Sequence, residues 1–200
     1  MSQQILIDCD DVLLNWVKGF RQFAATRLQR SITGEPEGWK MGPWLGVNDA
    51  DANGLILDFN ASVHFGRLEA IEGARKVMGR LTSMRDCSEV DYRFHVVTSC
   101  SADAITQGRR RHNLEDQFGE GTFDSIHCLN LGQSKASVLR AFAPGSIWIE
   151  DNYTNGSMGV RADHHVYMKR RPSNEADQKR PPIKNLSWFD TWDELEDILT

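Results

Sequence analysis

The sequence predicts a doubly wound α/β fold: a parallel sheet with helices on both faces, and a small, mainly helical cap inserted after the first strand. Three observations carry this. Short apolar runs, β-branched and aromatic, each stop at polar residues, as buried strands do. Helical periodicity fills the gaps, and strands alternating with helices imply right-handed parallel crossovers. One stretch, from about residue 30 to 66, fits neither pattern and is too long for a structureless loop in a compact domain.

Ile5-Leu6-Ile7 stops at Asp8 and reads as the first strand. Val12, Trp16, Phe20, Phe23 and Ala24 then recur at three- and four-residue steps, which predicts a helix. Residues 30–66 are rich in Gly, Pro, Asp, Asn and Trp, and Leu55-Ile56-Leu57 is their apolar run. With the helix before them they predict a substrate-selecting cap over residues 15–66, set into a core of residues 1–14 and 67–200. Periodicity resumes from Ala70 to Leu81, and Phe94-His95-Val96-Val97 stops at Thr98-Ser99. Ser101 or Asp103 can cap a helix to Phe118, with Gly119 as its stop. Ile126-His127-Cys128-Leu129 stops at Asn130, and Ser134 opens a helix through Phe142, ended by Pro144-Gly145. Ile147-Trp148-Ile149 stops at Glu150-Asp151, and His165-Val166-Tyr167-Met168 at Lys169-Arg170-Arg171. A last helix, Asp190 to Leu199, puts Trp192, Leu195 and Leu199 on one face.

Apolar residues at 40% and charged residues at 26% exclude a disordered or collagen-like chain. No apolar run approaches the ~20 residues that cross a bilayer. Met1-Ser2-Gln3-Gln4 has no basic flank and no signal-type apolar region, so a cytoplasmic location without membrane association is expected. The net charge of −5 argues against stable nucleic-acid binding but allows a small phosphorylated substrate, which needs local positive charge alone. Oligomeric state is open, a homodimer included. Cys9, Cys87, Cys100 and Cys128 form no CxxC pair, and His164-His165 is adjacent rather than at ligand spacing, so reduced thiols and no zinc site are expected.

In open α/β sheets the chemistry sits beyond the carboxyl ends of the strands. The polar residues there are Asp8, Asp10, Asp11, Thr98, Ser99, Glu150 and Asp151, with Lys135 just into a helix beyond another strand end. Several carboxylates cannot share a small volume uncompensated, because like charges push their pKa values apart. A divalent cation removes the conflict, and hard oxygen ligands with a phosphoryl substrate favour Mg2+. A lysine and a hydroxyl complete a cradle for an anion. Each element alone reads as a turn, a cap or a solvated lysine; the four together, at four strand ends, read as a site.

Ile-Leu-Ile-Asp8-Cys-Asp10-Asp-Val-Leu, Val-Val-Thr98-Ser, Ser-Lys135 and Ile-Trp-Ile-Glu150-Asp151 resemble the four ordered motifs of haloacid-dehalogenase-like (HAD) phosphatases, whose core is Rossmann-like. A narrower resemblance, to the 5′(3′)-deoxyribonucleotidases, runs through Phe65-Gly-Arg-Leu-Glu-Ala-Ile-Glu-Gly-Ala, Arg110-Arg-His-Asn-Leu-Glu-Asp-Gln-Phe-Gly119, Arg171-Pro-Ser-Asn174 and the Trp-rich C-terminal helix. The chain departs from that pattern at Glu150, where an aspartate is usual, at Ala70, where a proline is usual, and after Thr98-Ser99.

The resemblance implies a Mg2+-dependent phosphomonoester hydrolase, with (deoxy)nucleoside monophosphates as substrates. It makes Asp8 the nucleophile and Asp10 the general acid and base. The Asp10 backbone carbonyl and Asp151 would join Asp8 around the metal, with Glu150 either sharing it or orienting what does. Thr98, Ser99 and Lys135 would hold the phosphoryl group. Trp39, Trp44 and Phe65 are the candidates for stacking on a base, against the alternative that they pack the cap onto the core. Arg109-Arg110-Arg111 and Lys169-Arg170-Arg171 could steer anions, although such triplets are more often solvated faces. Three other readings stand beside this one. They are a phosphatase for another small phosphoester or a 3′-phosphorylated nucleic-acid end, a receiver-like phospho-signalling domain, and a catalytically silent binding domain. Receiver domains place the phosphoacceptor on a middle strand, where this chain has no comparable aspartate.

Overall fold

The computed structural model describes residues 2–200. Among these residues, six strands form one parallel sheet: β1 Gln3–Ile7, β2 Tyr92–Ser99, β3 Ser125–Leu129, β4 Ile147–Glu150, β5 His165–Lys169 and β6 Leu186–Phe189. Their spatial order is β3-β2-β1-β4-β5-β6, so strand order reverses between β1 and β4. The crevice outside the carboxyl ends of these two strands is the switch point at which such sheets bind ligands. Ile5, Leu6 and Ile7 are fully buried because a central parallel strand is covered on both faces.

The connections are α1 Trp16–Leu28, α2 Met41–Leu45, α3 Asp49–Ala61, α4 Ala74–Asp86, α5 Ala104–Phe118, α6 Ala136–Leu139, α7 Tyr153–Arg161, α8 Glu175–Gln178 and α9 Trp192–Leu199, with 3-10 turns at Val63–Arg67 and Pro172–Asn174. Asp103 caps α5 by accepting from the Thr106 amide at 2.7 Å, and Gly119 ends it at φ 95°. Asn152 caps α7 by accepting from the Thr154 and Asn155 amides. A Cβ on Gly159 would lie 2.5 Å from Trp148, so this glycine lets α7 seat on β4 directly behind Glu150-Asp151.

The helices expected from Ala70 and Asp190 start at Ala74 and Trp192, and three further expectations shift. The helix after β1 starts at Trp16, not Val12, because Asp11 takes a left-handed φ of 60° and the chain doubles back. Leu13 and Leu14 amides then donate to the Cys9 carbonyl, and Leu14 bridges Asp10 and Ala70. The Ser134 helix is shorter, Ala136–Leu139, and Ser134 Oγ accepts the Ala136 amide. β6 has no counterpart in the sequence reading; it pairs with β5 after the polar segment Lys184-Asn185.

Residues 15–66 contain α1, α2 and α3 and most of the 3-10 turn at Val63–Arg67. Trp16, Phe20, Phe23 and Phe59 form an aromatic cluster, with Trp16 stacked on Phe20 at 4.6 Å. This cluster is continuous with the apolar residues of β1, α4 and α9. No helix among the described residues is long and apolar enough to cross a membrane.

Candidate active site

The turn after β1 sets the first carboxylates. Asp11 pays for its left-handed backbone with partners: its Oδ1 accepts the Val17 amide at 3.0 Å and Arg171 Nη1 at 3.0 Å. Burial still lifts the Asp11 carboxyl to about 6 against the pull of Arg171. The Asp8 amide donates to the Ile149 carbonyl at 2.8 Å, so Asp8 stands level with the end of β4.

Lys135 lies between two acids. Its Nζ is 2.7 Å from Asp8 Oδ1 and 2.9 Å from Glu150 Oε2, and all three side chains are buried. Glu150 Oε1 accepts the Asp151 and Asn152 amides at 3.1 and 3.0 Å. Both Glu150 oxygens are therefore engaged. The carboxylate of Asp151 makes no hydrogen bond among the described residues, while its carbonyl is held by Asn174 Nδ2 at 2.8 Å.

Oxygens of Asp8, Glu150 and Asp151 lie within 4.8 Å of one another. Three acids against one lysine leave an excess of negative charge in a buried volume. Burial, then Glu150, pushes Asp8 well above the usual carboxylate range against Lys135, and Asp151 moves up through burial, Glu150 and Asp8. Burial also presses on Glu150, but Lys135 and the hydrogen bonds outweigh it and hold Glu150 low. Burial would lower Lys135; Asp8 and Glu150 hold it above its ordinary value. A hard divalent cation bound through oxygen fits this donor set, since it would relieve the repulsion that the lysine leaves.

These groups open onto a cavity of about 180 Å³. Asp8, Asp10, Ser99, Lys135, Glu150 and Asp151 line it from the strand ends and the loops beyond them, and Pro36, Trp39 and Met41 from the segment between α1 and α2 and the first residue of α2. Ser99 lines this space, and the hydroxyl of Thr98 beside it is buried without a partner among the described residues. Trp39 is the expected aromatic that reaches the cavity. Trp44 packs near Phe20 and donates Nε1 to the Thr33 carbonyl, and Phe65 is fully buried against Phe59. These two are packing residues in this structure rather than pocket walls. A larger cavity, about 640 Å³, is lined by α1 and residues 62–69 and contains none of the strand-end carboxylates.

Two arginines of the basic triplets, which in the sequence fit solvated faces better than steering charges, pair with carboxylates of the β1 turn. Arg110 is fully buried, with Nη2 2.5 Å from Asp10 Oδ1 and Cζ 3.9 Å over the Phe65 ring. Its signal was periodicity: Thr106, Arg110, Asn113 and Leu114 form the buried face of α5. Arg171 joins Asp11 on the β1 loop to Glu35, between α1 and α2, at 3.0 and 2.9 Å. Burial raises the Asp10 carboxyl more than Arg110 lowers it.

No family model and no curated protein matches the sequence. Solved structures match along nearly its whole length. The magnesium-bound structure of YfnB from Bacillus subtilis is 14% identical, with TM-score 0.61 over 99% of this chain and 98% of that one. A HAD family hydrolase from Deinococcus radiodurans, with bound phosphate and sodium, is 17% identical, with TM-score 0.63 over 99% and 95%. A haloacid-dehalogenase-like hydrolase from Streptococcus pneumoniae is 12% identical, with TM-score 0.64 over 98% and 98%. At these identities the likeness concerns architecture, and the chain has the fold of the HAD hydrolases.

Proposed function

We propose that the protein is a Mg2+-dependent phosphomonoester hydrolase that works through an aspartyl-phosphate on Asp8, with (deoxy)nucleoside monophosphates as its substrates. The observation that carries the reading is Lys135 held between Asp8 and Glu150, with Asp151 unpaired beside them, at the switch point of the sheet. Asp8, Asp151 and the Asp10 carbonyl are the metal ligands in this reading, and Glu150 orients Lys135. Bound there, the metal would neutralise charge on the phosphoryl oxygens and on Asp8.

An oxygen of Asp8 attacks phosphorus as the bond to the leaving oxygen breaks, and Asp10 gives that oxygen its proton. Water then attacks the phosphoryl group, Asp10 takes the water's proton, and the bond to Asp8 breaks to release phosphate. Lys135, Thr98 and Ser99 hold phosphoryl oxygens throughout. Residues 15–66 act as the substrate-selecting cap, and Trp39 is its residue placed to stack on a base. A phosphatase needs an acid at position 10 because an alkoxide leaves poorly without a proton.

The small volume of the cavity, about 180 Å³, favours a second reading in which a phosphoester smaller than a nucleotide is the substrate. Phosphate release is measured across nucleoside monophosphates, sugar phosphates and 3′-phosphorylated oligonucleotides, with magnesium or chelator. Preferential, magnesium-dependent release from nucleoside monophosphates supports the nucleotide reading. Preference for sugar phosphates would replace it with the second. No release from any substrate would overturn the hydrolase itself.

A further inference from the structure

Arg110 has an unusual environment for a cation. It is fully buried, outside the cavity lining, and its Nε and Nη1 have no partner among the described residues. Asp10 is the carboxylate it pairs with. The Arg110 Cζ lies 3.9 Å over the centre of the Phe65 ring, and the 3-10 turn carrying Phe65 is packed on α5. Desolvating an arginine for one ion pair is a poor way to stabilise a fold, and an apolar side chain would fill the same slot more favourably.

We propose that Arg110, stacked on Phe65, is the positioning residue of Asp10. It holds Oδ1 and so leaves Oδ2 as the oxygen that exchanges a proton with the leaving group and the attacking water. A lysine could not reproduce both contacts, since the flat guanidinium stacks on the ring while its edge donates to the carboxylate. Phe65 thus serves the site from behind the acid rather than as a wall for the substrate.

The inference rests on the proposed role of Asp10, and a double-mutant cycle separates the two. Arg110→Met, Arg110→Lys, Asp10→Asn and the Arg110→Met/Asp10→Asn pair are assayed on a nucleoside monophosphate and on an aryl phosphate. Arg110→Met should cut kcat on the nucleotide by about tenfold or more, a fraction of a general acid's contribution, with KM nearly unchanged. It should cut the phenol burst from the aryl ester far less, and Arg110→Lys should recover part of the loss. In the Asp10→Asn background Arg110→Met should cost nothing more, because its effect passes through Asp10. Additive losses, or a raised KM at constant kcat, would overturn the inference while leaving the role of Asp10 intact. An Asp10→Asn variant with normal turnover would overturn the role of Asp10, and the inference with it. If Arg110→Met does not fold by thermal melt, Phe65→Leu replaces it in the cycle: it removes the stack and keeps the ion pair, and the same non-additivity with Asp10→Asn is required.

Discussion

The Lys135 ammonium lies 2.9 Å from Glu150 Oε2, and the other oxygen of Glu150 accepts two backbone amides. Glu150 thereby holds the lysine against Asp8 with both oxygens engaged, whereas neither carboxylate oxygen of its neighbour Asp151 has a partner among the described residues. The two adjacent acids thus have different tasks. Glu150→Gln should raise the magnesium concentration for half-maximal activity by about tenfold, as loss of an orienting partner does. Asp151→Asn should raise it much further. A larger effect from Glu150→Gln would exchange their roles.

The same cluster opposes folding when no cation is bound. Three carboxylates within 4.8 Å share one lysine. Removing one charge by Asp151→Asn should stabilise the metal-free protein by about 1 kcal/mol, or about 2–4 °C in Tm. Magnesium should raise the Tm of the unchanged protein and lose this effect in the variant. Thermal melts in chelator and in magnesium check both signs; a lower Tm for the variant in chelator would show that Asp151 stabilises the fold.

Acidification should act through His164. Its Nε2 is 2.8 Å from the Leu139 carbonyl and its Nδ1 is buried without an acceptor among the described residues, so a second ring proton has nowhere to bond. Burial lowers its pKa from 6.5 in the fold. The unfolded chain therefore takes up the proton first, and this contribution to stability is lost as pH falls through 6.5. His164→Gln, which can still donate to Leu139, should reduce the difference in urea midpoint between pH 7.5 and 5.5, by up to about 1 kcal/mol in stability. An unchanged or larger difference would remove His164 as its source.

Most of the site was legible because its residues stand where apolar runs stop. Asp8, Ser99 and Glu150-Asp151 follow or end buried strands, and a buried strand announces itself by its apolar content. Arg110 was obscured by its neighbours, since Arg109-Arg110-Arg111 reads as solvated charge unless the helical face of α5 is drawn. The last strand escaped notice because Leu186–Phe189 contains Ser187 and follows a polar turn. Phe65 stands open between a pocket aromatic and a packing residue in the sequence, because nothing there shows that it faces a cation.

Trp39 and Trp44 now make a controlled pair. Trp39 is 46% exposed at the cavity, and Trp44 packs away from it. Trp39→Ala should lower kcat/KM on nucleoside monophosphates by about tenfold relative to a small aryl phosphate, in line with loss of one base stack. Trp44→Ala should lower Tm and leave that ratio alone. Equal losses on both substrates for Trp39→Ala would make it a packing residue too.

The central claim is that Asp8 attacks and Asp10 moves protons. Pre-steady-state release from an aryl phosphate tests it most directly, because a phenolate departs with little need of an acid. Asp8→Asn has no attacking oxyanion and should release no burst. Asp10→Asn should release a burst of phenol equal to the enzyme and then turn over about 10²–10⁴-fold more slowly, since hydrolysis of the aspartyl-phosphate still needs its base. A burst from Asp8→Asn and none from Asp10→Asn would contradict the account and reverse the two roles.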